Sequence, residues 1–106
     1  MIYTNTPDVP GQEITEILGI VTGNVVQTKH LGKDLMAGLK SLVGGEITAY
    51  TEMLTEARHK AISRLVAAAI EMDADAVVNL RFATSSIMSN ASEILAYGTA
   101  VKLRLK

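Results

Sequence analysis

At 106 residues the chain has room for one domain, and a domain of this size buries only a modest core. Apolar residues make up 48%, charged residues 20%, and the net charge is −1, which excludes a disordered chain and gives no broad basic field for nucleic acid. There is no cysteine, and therefore no disulfide, thiolate metal site or cysteine nucleophile.

No stretch approaches the roughly 20 apolar residues of a membrane span. Met1–Thr6 lacks the basic and apolar regions of a secretory signal, so the cytoplasm is the expected compartment.

Residues 1–12 contain Pro7 and Pro10, which lack backbone donors. They predict an extended lead-in with a short edge strand at Met1–Thr4. Glu13–Lys29 is rich in Ile, Val and Thr and predicts a long strand. Gly19 and Gly23 inside it indicate either a bend or close approach by a ligand; the bend is favoured. His30–Val43 carries Leu31, Leu35, Met36, Leu39, Leu42 and Val43 at helical spacing, which predicts a short helix.

Gly44 and Gly45 break that helix, and residues 44–76 predict one long amphipathic helix with Thr48 as a candidate N-cap. Tyr50, Met53, Leu54, Ala57, Ala61, Leu65, Ala68 and Met72 share one face at about 100° per residue. Glu52, Glu56, His59 and Ser63 lie opposite. Leu65–Ile70 is apolar all round, with Val66 and Ile70 on the charged side, so a second subunit is the expected cover. The helix ends at Asp73-Ala74-Asp75, where an Asp is expected in the left-handed region.

Ala76–Ser86 alternates, with Ala76, Val78, Leu80, Phe82 and Thr84 on one side and Val77, Asn79, Arg81 and Ala83 on the other. Residues 85–91 are expected as a turn or irregular loop. Ser92–Leu105 alternates again, Leu95, Tyr97, Thr99, Val101, Leu103 and Leu105 against Ile94, Ala96, Ala100, Lys102 and Arg104. The last two strands predict an antiparallel hairpin. The order β-α-α-β-β, without repeat or linker, is that of an α+β domain with helices on one face of a mixed or antiparallel sheet.

Gly-Ile-Val-Thr-Gly-Asn at 19–24, Val-Gly-Gly-Glu-Ile-Thr-Ala-Tyr-Thr-Glu-Met-Leu at 43–54, Glu-Ala-Arg at 56–58, Ala-Asp-Ala-Val-Val at 74–78 and Ala-Tyr-Gly-Thr-Ala-Val at 96–101 resemble the YbjQ-like family, labelled "putative heavy-metal-binding". The resemblance covers nearly the whole chain in order. It implies a dodecin-like α+β subunit assembled as a ring-shaped homopentamer, and implies little about activity. The family often has Gly and Asn where this chain has Asp73 and Asp75.

Two sets of residues are candidates for chemistry. Glu52, Glu56 and His59 form a helical stripe, and Glu56-x-x-His59 has the spacing of carboxylate-bridged metal bundles. The stripe points away from the apolar face, so a solvated ion-pair face is its simpler explanation and weak zinc or copper binding is expected. Tyr50, Glu52, Arg58 and Tyr97 are candidates for a ligand site between subunits. Arg58 and Arg64 flank the apolar stripe, where a subunit-interface salt bridge to Glu46 or Glu93 is expected ahead of an anion clamp. No triad, phosphate loop or dinucleotide fingerprint is present. Arg81, Lys102, Arg104 and Lys106 are expected as a small basic patch on the outer sheet face, weak as a nucleic-acid signal without interleaved aromatics. The expected function is a homo-oligomeric binding or scaffold protein, taking a metal or small ligand between subunits. The alternative is an enzyme with an intersubunit site.

Overall fold

The computed structural model describes residues 1–28, 48–88 and 91–106, with the side chains of Thr28 and of residues 48–50 outside that description. The predicted helix over His30–Val43, and the expected break at Gly44 and Gly45, lie outside the described residues.

Strand β1 (Ile2–Tyr3), strand β2 (Gln12–Thr28), helix α1 (Thr48–Glu71), strand β3 (Ala76–Met88) and strand β4 (Ala91–Leu105) follow in that order. The protein is α+β, with one helix on a four-stranded mixed sheet of order β1-β3-β4-β2. Strand β1 runs parallel to β3, and β4 is antiparallel to both β3 and β2. Strands β2 and β3 therefore point the same way with β4 between them.

Ala57, Ala61, Leu65 and Ala69 of α1 are fully enclosed and pack on Val21, Val25, Val77, Leu80, Ile94, Ala96 and Ala100. Three alanines at helical spacing let the helix axis come close to the sheet, and Leu65 supplies the volume. Ala69 takes the place expected of Met72, which is exposed. Val66 lies at the flank of this core and not opposite it, whereas Ile70 is 59% exposed.

Strand β4 keeps the expected alternation. Ile94, Ala96 and Ala100 face α1, and Val101 and Leu103 join a second, smaller core with Val9, Ala76 and Val78 on the other face. The lead-in covers one part of that face, where Val9 is buried in the small cluster.

In β3 the expected alternation fails after Val78. Asn79 adopts φ 54 and the register shifts between Val78 and Arg81, so two residues oppose one on β4. Leu80 then joins Val77 on the helix side. The expected loop at 85–91 is also corrected: β3 runs on to Met88, because β4 templates it by pairing Ser85 with Glu93 and Ser86 with Ser92.

Gly19 is the expected bend. It sits at φ 143 beside a register shift between Ile17 and Gly19. Gly23 is neither a bend nor a ligand contact. A Cβ there would overlap the Ala61 carbonyl oxygen and the Leu65 amide nitrogen, so the residue is where the helix backbone touches the strand.

Helix α1 ends as the sequence indicates. The Ala74 N–H donates to the Ala69 carbonyl (3.1 Å) and the Asp73 N–H to the Ile70 carbonyl (3.0 Å), with Asp73 at φ 59. This is a Schellman closure with Asp at the position glycine usually fills. The chain is long and thin, 55 × 26 × 17 Å.

Candidate functional site

The stripe of Glu52, Glu56 and His59 is exposed along α1, as its spacing implies. Among the described residues no three His, Asp or Glu side chains come together as a metal site. With no thiolate in the chain, the described residues of a single chain do not fit a heavy-metal centre.

The other candidate set is split between the two layers. Arg58 is exposed on the helix and donates to Thr55 Oγ1 at 3.2 Å. Tyr97 lies across from Arg81 and Thr22, on the parity of β4 that faces away from α1. One chain therefore does not bring Arg58 and Tyr97 together, and the side chain of Tyr50 lies outside the described residues. Glu46, one expected partner of Arg58, lies outside them too. The other, Glu93, accepts a bond from Asn24 Nδ2 (3.1 Å). Arg64 donates to the Asn24 backbone carbonyl (2.6 Å) and ties α1 to β2.

The expected basic patch is likewise divided. Arg81 is on the outer face and donates to the Asn5 carbonyl (3.2 Å). Lys102 and Arg104 have the opposite parity and meet carboxylates: Arg104 pairs with Glu13 at 2.6 Å, and Lys102 with Asp75 at 3.3 Å.

His59 instead contributes to an open groove of about 240 Å³ with Tyr3, Ile62, Ser63 and Val66. It forms because α1 lies over β2 and β4 and leaves the β1 side of the sheet uncovered among the described residues. Tyr3 pairs with Val77, which faces the helix, so β1 presents Tyr3 to the same side. The groove offers an apolar wall with a phenol, an imidazole and a hydroxyl at its rim. Sequence reasoning missed Tyr3, since nothing local signals a pairing 74 positions away.

The most connected polar group is Asp75. Its Oδ2 accepts the Leu103 N–H at 2.8 Å, and Lys102 Nζ reaches both its Oδ1 (3.3 Å) and the Asp73 carbonyl (2.9 Å). The cation thus sits at the C-terminal end of α1, where the helix dipole favours it. The Leu103 N–H holds the Asp75 carboxyl below its ordinary pKa of 3.8, with Lys102 adding to the effect. The bond to Asp75 raises Lys102 above its ordinary 10.5. A lowered carboxylate stabilises the fold above its unfolded pKa and ceases to do so as the pH falls through the folded value. The raised lysine stabilises below 10.5 and ceases to do so as the pH rises through its folded value. Wild type should therefore lose its stability margin over Asp75→Asn as the pH drops below 3.8. Urea midpoints measured against pH check this, and a margin constant across the acid range would contradict it.

A family model described as "putative heavy-metal-binding", that of the YbjQ family, matches residues 1–104. A UPF0145 protein from Psychromonas ingrahamii is 69% identical over 104 residues, covering 98% of this chain and 99% of that one. A UPF0145 protein from Thermosipho africanus is 64% identical, covering 98% and 96%. Among solved structures, a DUF74-family protein of unknown function from Pediococcus pentosaceus aligns with a TM-score of 0.66 at 15% identity, covering 98% of each chain. At that identity the likeness shows the fold alone. Among the described residues no helix is long and apolar enough to cross a membrane.

Proposed function

Because the chain belongs to the YbjQ family, we propose that it acts in the cytoplasm as a homo-oligomeric binding or scaffold protein, a ring of five chains. A heavy metal or small ligand is held between its subunits. The observation that carries the oligomer is exposed surface. The chain exposes 7005 Å², whereas a compact monomer of its mass exposes about 5,700 Å². Its radius of gyration is 17.3 Å, against about 13 Å for a compact chain of this length. The surplus of about 1,300 Å² is of the size that two interfaces take from one subunit, at roughly 800 Å² per standard contact.

Ile70 belongs to that surplus, as do Ile17 and Ile20 on the outer sheet face at 72% and 78% exposure. Leaving an aliphatic side chain of this size wet forgoes roughly 1.5–3 kcal/mol. A ring repeats the gain at each interface and leaves no open end. The number five comes from the resemblance to YbjQ-like proteins. Among the described residues Glu52, Glu56 and His59 do not converge within one chain, so on this reading a second chain completes their donor set; Arg58 and Tyr97 likewise meet across a subunit boundary.

Native mass spectrometry tests the assembly and its cargo together. A mass near five times the 11.3 kDa chain is expected, with any retained metal or ligand visible as added mass. Ile70→Glu should shift the population toward single chains, because burying an unpaired carboxylate is costly. A different multiple would overturn the number five, and a stable wild-type monomer at micromolar concentration would overturn the oligomer itself.

A further inference from the structure

The edge of the sheet beyond β1 is open. Strand β1 pairs only Ile2 and Tyr3 with Ala76 and Val77. The Asn79 and Leu80 N–H groups then donate to the Thr6 and Thr4 carbonyls, both at 3.0 Å, and the pairing stops there. From Arg81 to Met88 every residue of β3 is exposed, and among the described residues nothing pairs with that edge.

Natural edges of this length are usually blunted by lysine, proline, bulges or a covering element. This one reads Arg-Phe-Ala-Thr-Ser-Ser-Ile-Met, with one charge at its start, no proline and no glycine, and it stays regular from Arg81 to Ser86 before a register shift at Met88. The opposite edge of the sheet is β2, 17 residues long, also unpaired on its far side among the described residues.

We infer that Arg81–Met88 is a docking edge, which adds strand to strand to the free edge of β2 in a second copy of this chain. The inference rests on the oligomer proposed above and names the surface that builds it. Two considerations select β2. Pairing β3 with β3 about a twofold axis closes a dimer and leaves both β2 edges unsatisfied. Pairing β3 with β2 joins unlike surfaces, uses both edges of every subunit and is the kind of contact from which a ring, as proposed above, is built. Backbone hydrogen bonds hold such a junction, as in strand-addition complexes generally.

Backbone alternation tells which donors are involved. The Leu80 N–H points to the β1 side, so the N–H groups of Phe82, Thr84 and Ser86 point to the open edge, and those of Arg81, Ala83 and Ser85 point to β4. Thr84→Pro therefore removes an edge donor and obstructs pairing while leaving the β3–β4 ladder its bonds.

Amide exchange by NMR, read alongside the native mass, tests the inference. In wild type the amides of 82, 84 and 86 should be protected, as should the β2 amides that point away from β4. In Thr84→Pro both sets should lose protection and the mass should fall to that of one chain, with 81, 83 and 85 still protected as proof of folding. A wild-type monomer would sink the oligomer and this inference together. A wild-type oligomer in which 82, 84 and 86 exchange freely would sink the docking edge alone. Protection at β3 without protection at β2 would mean β3 pairs with itself, against the inference. Protection that survives dilution to single chains would mean the chain covers its own edge, and would overturn it as well.

Discussion

Gly23→Ala is expected to destabilise the protein by about 3 kcal/mol or more, at the upper end of what overpacking costs. The reason is the identity of the neighbours. The added methyl would overlap the Ala61 carbonyl oxygen and the Leu65 amide nitrogen and come within 3.1 Å of the Arg64 carbonyl carbon. All are main-chain atoms in the middle of α1, so no rotamer change relieves the clash. Helix and strand must separate over Ala57, Ala61 and Leu65, all three fully enclosed. Gly23 does not occupy the left-handed region, so the cost is steric and not conformational. Urea unfolding of the two proteins at one chain concentration measures it. A loss below about 1 kcal/mol, the centre of ordinary substitutions, would mean that α1 does not sit on β2 as closely as described.

Leu65→Ala is the second large effect, expected at about 3 kcal/mol within the 2–5 kcal/mol range of buried leucine truncations. Leu65 is wholly enclosed and is among the largest side chains that are. Its neighbours along the helix stripe, Ala57, Ala61 and Ala69, have no side chain long enough to refill the space. The strand residues beneath it are held by the sheet ladder, so the site collapses poorly and a cavity persists. The same unfolding measurement applies. A loss under 1 kcal/mol would place Leu65 outside the core.

The elements that were legible in the sequence are those in which one physical signal acts alone. Residues 92–105 alternate without a break, and both faces of β4 are buried for much of their length, so its phase could be read directly. The end of α1 was legible because Asp is among the few residues that tolerate φ near 60°. The phase of β3 was not legible, since Asn79 inserts an extra residue and nothing in Val-Val-Asn-Leu announces it. Ser85 and Ser86 resembled a loop because strand β4, and not their own composition, holds them extended. Gly23 could not be assigned because the atoms that exclude a side chain there lie about forty positions away. The candidate site failed for a related reason. Periodicity groups residues by face within one element, which set Glu52, Glu56 and His59 together correctly. It does not say which face of β4 the helix will cover, and that choice puts Tyr97 in a different layer from Arg58.

The placement of β4 also bears on how the protein is made. It is the last of the four strands to leave the ribosome, yet it lies in the interior of the sheet and is the partner of both β2 and β3. Until residues 91–105 have emerged, β2 has no described neighbour and β3 has only two residues of β1. Helix α1 can form during synthesis, but its alanine face has half a floor to rest on. At translation speeds of roughly 5–20 residues per second, the long β2 segment waits several seconds for its mate. Its pairing then closes loops of 63 to 93 residues at once, which places the protein among slow, late folders whose nascent chain depends on being kept apart from its neighbours.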